Sequence, residues 1–349
     1  METLNDILKY FSNNKDQWLY YNSKELGLDD ILSNPDKALD FIKNYFDIGG
    51  KSSAFDDLYF SQHKNQLLDR SVHIVSTFFL GLKIAKCFGI NLESRDEDNM
   101  SFIYYWFLTC LYHDIGYVYE ANSTCEHLRM LSVDGLEAVQ EICNIKHLHN
   151  RVFKTYSRDM VDLYLKGRST CKYGKNGVLD HGIIGGLLLY DRLRKQFEKS
   201  WKKRINKNDS RKSFYIYKNE NHLHLSNSHY EAYANAADAI IAHNIWTNTL
   251  NEYLVASGQP ERRFPPISFE NKLCFILCLA DTVEPLKRNI NYADKIFFSF
   301  EDNQICVSTE EEIYKTVYGN IKALECWMDV KVNNDNSSFT IRLNTSNEE

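Results

Sequence analysis

His113 and Asp114 stand side by side at the end of an apolar run, in "FIYYWFLTCLYHDIGYVYE" (102–120). An imidazole and a carboxylate are costly to bury unless something compensates them. Similar residues recur along the chain. His73 lies at the edge of a face set by Leu68, Val72, Val75 and Phe79. Trp106, Cys110, His113 and Asp114 share one side of the next apolar segment. His181 follows Asp180 at the opening of "DHGIIGGLLLYDRLRKQFEKSW". Ala236, Ala239, Ile240 and His243 share a side, as do Leu273, Cys274, Leu277, Cys278 and Asp281. Taken singly, each reads as a satisfied core or surface residue. Taken together, five helices each aim a His or Asp at what can be one centre. A metal removes the cost of burying them, since imidazole nitrogen and carboxylate oxygen are ligands that Zn, Mn, Fe, Co and Ni accept.

The elements that must position these residues are mostly helical. "TLNDILKYF" and "DKALDFIKNYF" predict short helices near the N-terminus, and 62–88 predicts a long one from apolar residues at helical spacing. Residues 101–120 predict a helix, "VDGLEAVQEICNIKHL" another, and 150–179 an irregular stretch. Another opens near Asp180, and 202–227 reads as a surface excursion. Ser228 with Glu231 is a capping-box signature for the helix in "SHYEAYANAADAIIAHNIW". "FENKLCFILCLADTVEP" stops at or before Pro285. The tail changes to alternating, β-rich patterns around one helix.

Composition excludes several classes. Hydrophobic content of 44% with 25% charged residues marks a folded chain, and 5 prolines and 15 glycines argue against disorder. The net charge of -6 gives no general pull toward nucleic acid or a membrane surface. No signal peptide and no membrane-length apolar run is legible, and nine scattered cysteines read as reduced thiols, so the expected location is cytoplasmic.

The order H…HD…H…H…D resembles the HD-domain superfamily of metal-dependent phosphohydrolases. "RSVHIVSTFFLGL", "LYHDIGY", "DHGIIGGLLL" and "CLADTVEP" carry the resemblance, which covers roughly residues 60 to 290. It implies an HD-domain helical bundle (59–292); with the patterns on either side, an N-terminal helical segment (1–58) and a small α+β C-terminal region (293–349), the expected fold is mainly α. It also implies hydrolysis of a phosphoester, on a nucleotide or cyclic nucleotide, by metal-bound hydroxide, with His113 and Asp114 at the catalytic centre. The extra imidazoles resemble the binuclear members. There, His73, His113, Asp114 and Asp281 would hold one divalent transition metal, Asp114 would bridge, and His181 and His243 would hold the second.

One departure stands out. Many members read HDIGK, whereas Tyr117 takes the lysine's place here. A phenol offers a hydrogen bond but no permanent charge. Substrate phosphate is then expected to find Arg70, Arg158, Lys166, Arg168, Lys287 or Arg288, alongside Tyr117. Asp180 reads equally as a ligand or a helix N-cap. Residues 192–212 carry ten Lys or Arg, which suits a solvated helix end and equally a guide for single-stranded nucleic acid, with Trp201, Phe214, Tyr215 and Tyr217 for stacking. The alternatives are therefore a single-stranded nuclease, a nucleotide-binding sensor with weak or no turnover, and di-iron oxygenase chemistry on the same scaffold. Helical hydrolases of this kind often form homodimers.

Overall fold

A computed structural model of the chain describes residues 1–19, 26–48, 64–93, 101–170, 177–206, 219–245, 264–287, 289–301, 303–335 and 337–344. The described residues form a mainly helical body with a small antiparallel sheet near the C-terminus. The helices are α1 (Leu4–Asn13), α2 (Pro35–Ile48), α3 (Lys64–Cys87), α4 (Phe102–Cys110), α5 (Tyr117–Ala121), α6 (Cys125–Asp134), α7 (Leu136–Ile142), α8 (Arg158–Ser169), α9 (His181–Asn206), α10 (Asn219–Ala242), α11 (Lys272–Val283) and α12 (Glu311–Ala323). Strands β1 (Ile296–Glu301), β2 (Gln304–Thr309), β3 (Val330–Asp335) and β4 (Ser338–Leu343) lie in the order β1-β2-β4-β3, every pair antiparallel.

Helix α3 is the spine. From Ser71 to Leu82 every side chain is buried, so it is covered on all sides rather than on one stripe. The N-terminal helices close one side of it through rings: Phe11 lies 5.4 Å from Phe79, and Tyr45 5.7 Å from Phe78. Trp106 of α4 closes another, its indole N–H donating to the Phe78 carbonyl at 3.0 Å. The C-terminal sheet shares this core. Glu2 pairs with Phe298 of β1, and Tyr314 of α12 stacks 4.6 Å from Phe339 of β4. The N-terminal segment and the C-terminal α+β part therefore pack into one continuous hydrophobic core with the helical body.

Several segments differ from their sequence reading. The 101–120 stretch is two helices, not one. The Cys110 carbonyl, which an uninterrupted helix would give to the Asp114 N–H, lies 2.7 Å from His113 Nδ1 instead. Turns follow until α5. The stretch "VDGLEAVQEICNIKHL" also breaks, at Gly135, whose φ of 56° lies in the left-handed region. Residues 150–179 are not irregular throughout: α8 occupies Arg158–Ser169, started by Ser157, whose hydroxyl accepts from the Met160 N–H at 3.3 Å. Gly167 masked it, although Val161, Tyr164 and Leu165 keep helical spacing and are buried. Ser228 is not a cap, since α10 begins at Asn219. The excursion read at 202–227 likewise narrows, because α9 continues to Asn206; residues 207–218 lie outside the described ones.

Two devices set the helices that matter for the site. Along the α9–α10 contact, a Cβ on Gly186 would lie 2.5 Å from the Ala237 carbonyl, so only glycine allows this approach. The close seam brings His181 and His243 to a ring separation of 5.5 Å. At the same end of α10, buried Asp238 accepts from the Lys154 and Thr155 N–H groups at 2.8 and 2.9 Å and from the Thr155 hydroxyl at 2.6 Å. That hydroxyl in turn accepts from Asn271 at 2.6 Å, and Asn271 caps α11. Burial outweighs these bonds and raises the Asp238 pKa. Asp238→Ala leaves buried donors without an acceptor and is expected to cost about 2–4 kcal/mol, read from the midpoint of urea unfolding.

Candidate metal centre

The centre is assembled by helix ends. His113 and Asp114 occupy the turn after α4, His181 opens α9, His243 follows the last residue of α10, and Asp281 lies in the last turn of α11. His73 comes from the middle of α3. All six are buried, with His113 and Asp114 at 0% exposure. The structure therefore brings together every residue that the sequence reading selected as a ligand. His73, His113 and Asp281 form one group that could hold a metal ion, and His113, Asp114 and His243 form a second.

The four imidazoles share one orientation. Nδ1 of His73 lies 2.6 Å from Glu284 Oε2, and Nδ1 of His181 lies 2.8 Å from Glu120 Oε2. Nδ1 of His113 and of His243 faces a backbone carbonyl three residues upstream, Cys110 at 2.7 Å and Ile240 at 2.6 Å. Each ring therefore presents its Nδ1–H to an acceptor and turns Nε2 toward the centre. This fixes the tautomer in the way metal-ligating histidines are fixed by their outer partners. The Nε2 atoms of His113, His181 and His243 and both Asp114 oxygens are buried with no hydrogen-bond partner among the described residues. Buried polar atoms are seldom left without partners. Five of them around one point fit a cation.

Asp114 faces two ways. Its Oδ1 lies 3.4 Å from His113 Nε2 and 3.7 Å from His181 Nε2, and its Oδ2 lies 3.7 Å from both His73 Nε2 and Arg70. His113, His73 and Lys287 beside it outweigh burial and hold its carboxyl well below the usual range. Lys287 and the histidines do the same for Asp281. Burial pulls His73 down, but Glu284 and Asp281 on its two ring nitrogens reverse this and raise it to about 9. Burial and the neighbouring His113 push His243 down to about 3, so it is a neutral ligand-type imidazole at any ordinary pH.

Glu120 and Glu284 were not selected from the sequence, although both hold histidines. Glu284 sits three residues after Asp281, and its side chain folds back to receive the Leu286 and Lys287 N–H groups, each at 2.9 Å, as well as the Ser76 hydroxyl. Its acidic neighbour Asp281 was the available signal. Glu284→Gln keeps the size but removes the charge facing His73. Metal affinity is expected to fall about 10- to 100-fold, measured by competition with a chromogenic chelator.

Of the residues expected to meet phosphate, three border the centre. Arg70 stacks its guanidinium 3.7 Å above the Tyr117 ring, and Tyr117 stacks in turn on His181 at 3.9 Å. Burial and the nearby Asp114 carboxylate raise the Tyr117 phenol to about 12, so it stays a hydrogen-bond donor. Lys287 binds both Asp281 oxygens, at 2.9 and 2.8 Å. Arg168 stands one layer back, 3.2 Å from Asp180. Asp180 itself caps α9, its Oδ1 accepting from the Ile183 N–H at 3.1 Å. Lys166 pairs with Asp162 at 2.8 Å, beside Gly135. Arg158 opens α8, about 15 Å along the helix from Arg168. Arg288 lies outside the described residues.

In the basic run, Lys195 pairs with Asp191 at 2.6 Å and Arg194 with Glu198 at 2.6 Å, while Arg192 also pairs with Asp191. Trp201 lies in the part of α9 whose side chains are outside the described set, and Phe214, Tyr215 and Tyr217 lie outside the described residues. No described helix is long and apolar enough to cross a membrane. Compared with family models, curated proteins and solved structures, the chain matches none.

Proposed function

We propose that the protein is an HD-type metal-dependent phosphohydrolase acting on a phosphoester of a nucleotide or cyclic nucleotide. The reading is carried by one observation: four imidazoles with Nδ1 on an acceptor and Nε2 turned to the same point beside Asp114. His113, Asp114, His181 and His243 would hold one divalent metal, and His73 and Asp281, with Asp114 beside them, a second. Such metals supply Lewis acidity to phosphoryl oxygens and acidify water.

The chain's own groups do the rest. Arg70 provides the cation that Tyr117 cannot, because its guanidinium lies on the phenol ring and near Asp114 Oδ2. A planar fork there suits a phosphate oxygen. The Tyr117 hydroxyl adds a neutral donor at the same wall. Glu120 and Glu284 keep the His181 and His73 rings aimed while substrate enters.

Elemental analysis of the purified protein, run beside His243→Ala, tests the metal. Hydrolysis of bis(p-nitrophenyl) phosphate and of a nucleotide panel with added Mn tests the chemistry. The expected result is bound metal that decreases in His243→Ala, with turnover that EDTA abolishes. Protein that takes up no metal and turns over no phosphoester sinks the reading.

A further inference from the structure

The two ligand groups are not equivalent. Around Asp114, the Nε2 atoms of His113, His181 and His243 and both carboxylate oxygens are without hydrogen-bond partners among the described residues. Around Asp281, the ligand atoms are engaged. Oδ1 lies 2.9 Å from His73 Nε2 and 2.9 Å from Lys287 Nζ, and Oδ2 lies 2.8 Å from the same ammonium. Resting on the metal-centre reading above, we propose that Lys287 is a tethered cation in the Asp281 half of the centre, so that the Asp114 half binds metal tightly and the Asp281 half binds it only by displacing the lysine.

Lys287 is delivered to this place by the backbone. After α11 ends at Val283, Glu284 turns its carboxylate back onto the Leu286 and Lys287 N–H groups, closing a hook of three residues. Leu286 at its centre is buried. The Lys287 stem thus starts from an anchored backbone and reaches back to Asp281, six residues earlier. The same carboxylate, Glu284, holds His73. One side chain therefore positions both a histidine ligand and its competitor.

Charge supports the asymmetry. Asp114 and Asp281 face the centre, with Glu284 and Glu120 behind His73 and His181, and Arg70 and Lys287 offset part of that charge. One divalent ion in the Asp114 half takes up the remaining negative charge. A second would stand beside an ammonium already in contact with its own ligand oxygen, and like charges at that distance repel strongly in a buried setting. Swinging the lysine out relieves the repulsion and frees both Asp281 oxygens.

The test is titration of chelator-stripped protein with Mn alone, followed by calorimetry and by electron paramagnetic resonance of free Mn. Wild type is expected to bind one ion tightly and a second at least about tenfold more weakly, about 1.4 kcal/mol. Lys287→Met, which keeps an aliphatic stem and the backbone hook, is expected to tighten the second ion about tenfold or more and leave the first nearly unchanged. Lys287→Arg, which keeps the charge, is expected to stay like wild type. Equal affinities in wild type, or a second binding event that Lys287→Met does not move, overturn the proposal while leaving the metal centre standing. Failure of every variant and of wild type to bind any Mn overturns the centre as well.

Discussion

Asp114→Asn is expected to abolish metal binding at the Asp114 half and lower phosphoester hydrolysis by about a thousandfold or more. Asparagine has nearly the same shape, but it removes the charge and puts an NH2 donor where a metal ion and Arg70 need an acceptor oxygen. With no metal present, the Asp114 carboxylate is fully buried without hydrogen-bond partners, yet its neighbours outweigh burial and hold its carboxyl well below the usual range, so its charge stabilises the stripped fold. The stripped variant is therefore expected to melt somewhat lower than stripped wild type, and the Mn-induced rise is the diagnostic. Metal at about a thousand times its Kd adds about 4 kcal/mol to a protein that binds it only when folded. That increment raises the wild-type Tm by several degrees and is expected to vanish in the variant. Differential scanning fluorimetry with and without Mn separates this outcome from misfolding, which would lower both curves together. A variant that keeps the full Mn-induced rise removes Asp114 from the centre.

Gly116→Ala is expected to damage fold and site together. Gly116 has φ -66° and ψ -15°, a conformation any residue adopts, so the substitution carries no backbone strain. Space is the obstacle. A Cβ at this position would lie 2.0 Å from the His181 carbonyl oxygen and 2.9 Å from the His181 Cα. Both neighbours are backbone at the start of α9, which the Asp180 cap and the Gly186 seam hold in place. Close-packed interiors do not give by that much. The start of α9 has to retreat, taking His181 away from Asp114. The expected loss is about 3 kcal/mol or more by urea unfolding, with reduced Mn uptake by whatever protein folds. Gly319→Ala is the control. It lies on the exposed face of α12 with nothing within 4 Å, so alanine there is expected to stabilise by about 0.5–1 kcal/mol. Equal outcomes for the two substitutions would refute the steric account.

The local patterns were legible for a physical reason. Helical spacing of apolar residues is a property of neighbours three and four apart, and α1, with Leu4, Ile7, Leu8 and Phe11 buried, and α12, with Ile313, Val317 and Ile321, follow it closely. Alternation in "KIFFSFEDNQICVS" and "DVKVNNDNSSFTIRL" likewise marked β1 to β4. Helix ends were less legible. The breaks after Cys110 and Ala242 are made by imidazoles that take a helix carbonyl from its usual N–H partner, and nothing in apolar periodicity reports that. One continuous helix over 101–120 is not formed for this reason, and α8 escapes its pattern because Gly167 reads as a breaker when it is only a poor helix former.

The sequence by itself determined the helical class, the β-containing tail and the six ligand-type residues, because each such residue stands out against its own apolar neighbours. Tertiary structure alone decided how those residues are used. The His181–Glu120 contact joins positions 61 apart and the His73–Glu284 contact positions 211 apart, so only packing could pair them. Packing also placed Arg168 on Asp180, and the turn after α11 seated Lys287 on Asp281, whereas Lys166 meets Asp162 as a local i,i+4 pair of α8. The sequence names charged side chains; which carboxylate each one meets follows from where the helix ends converge, and that is a property of the whole core.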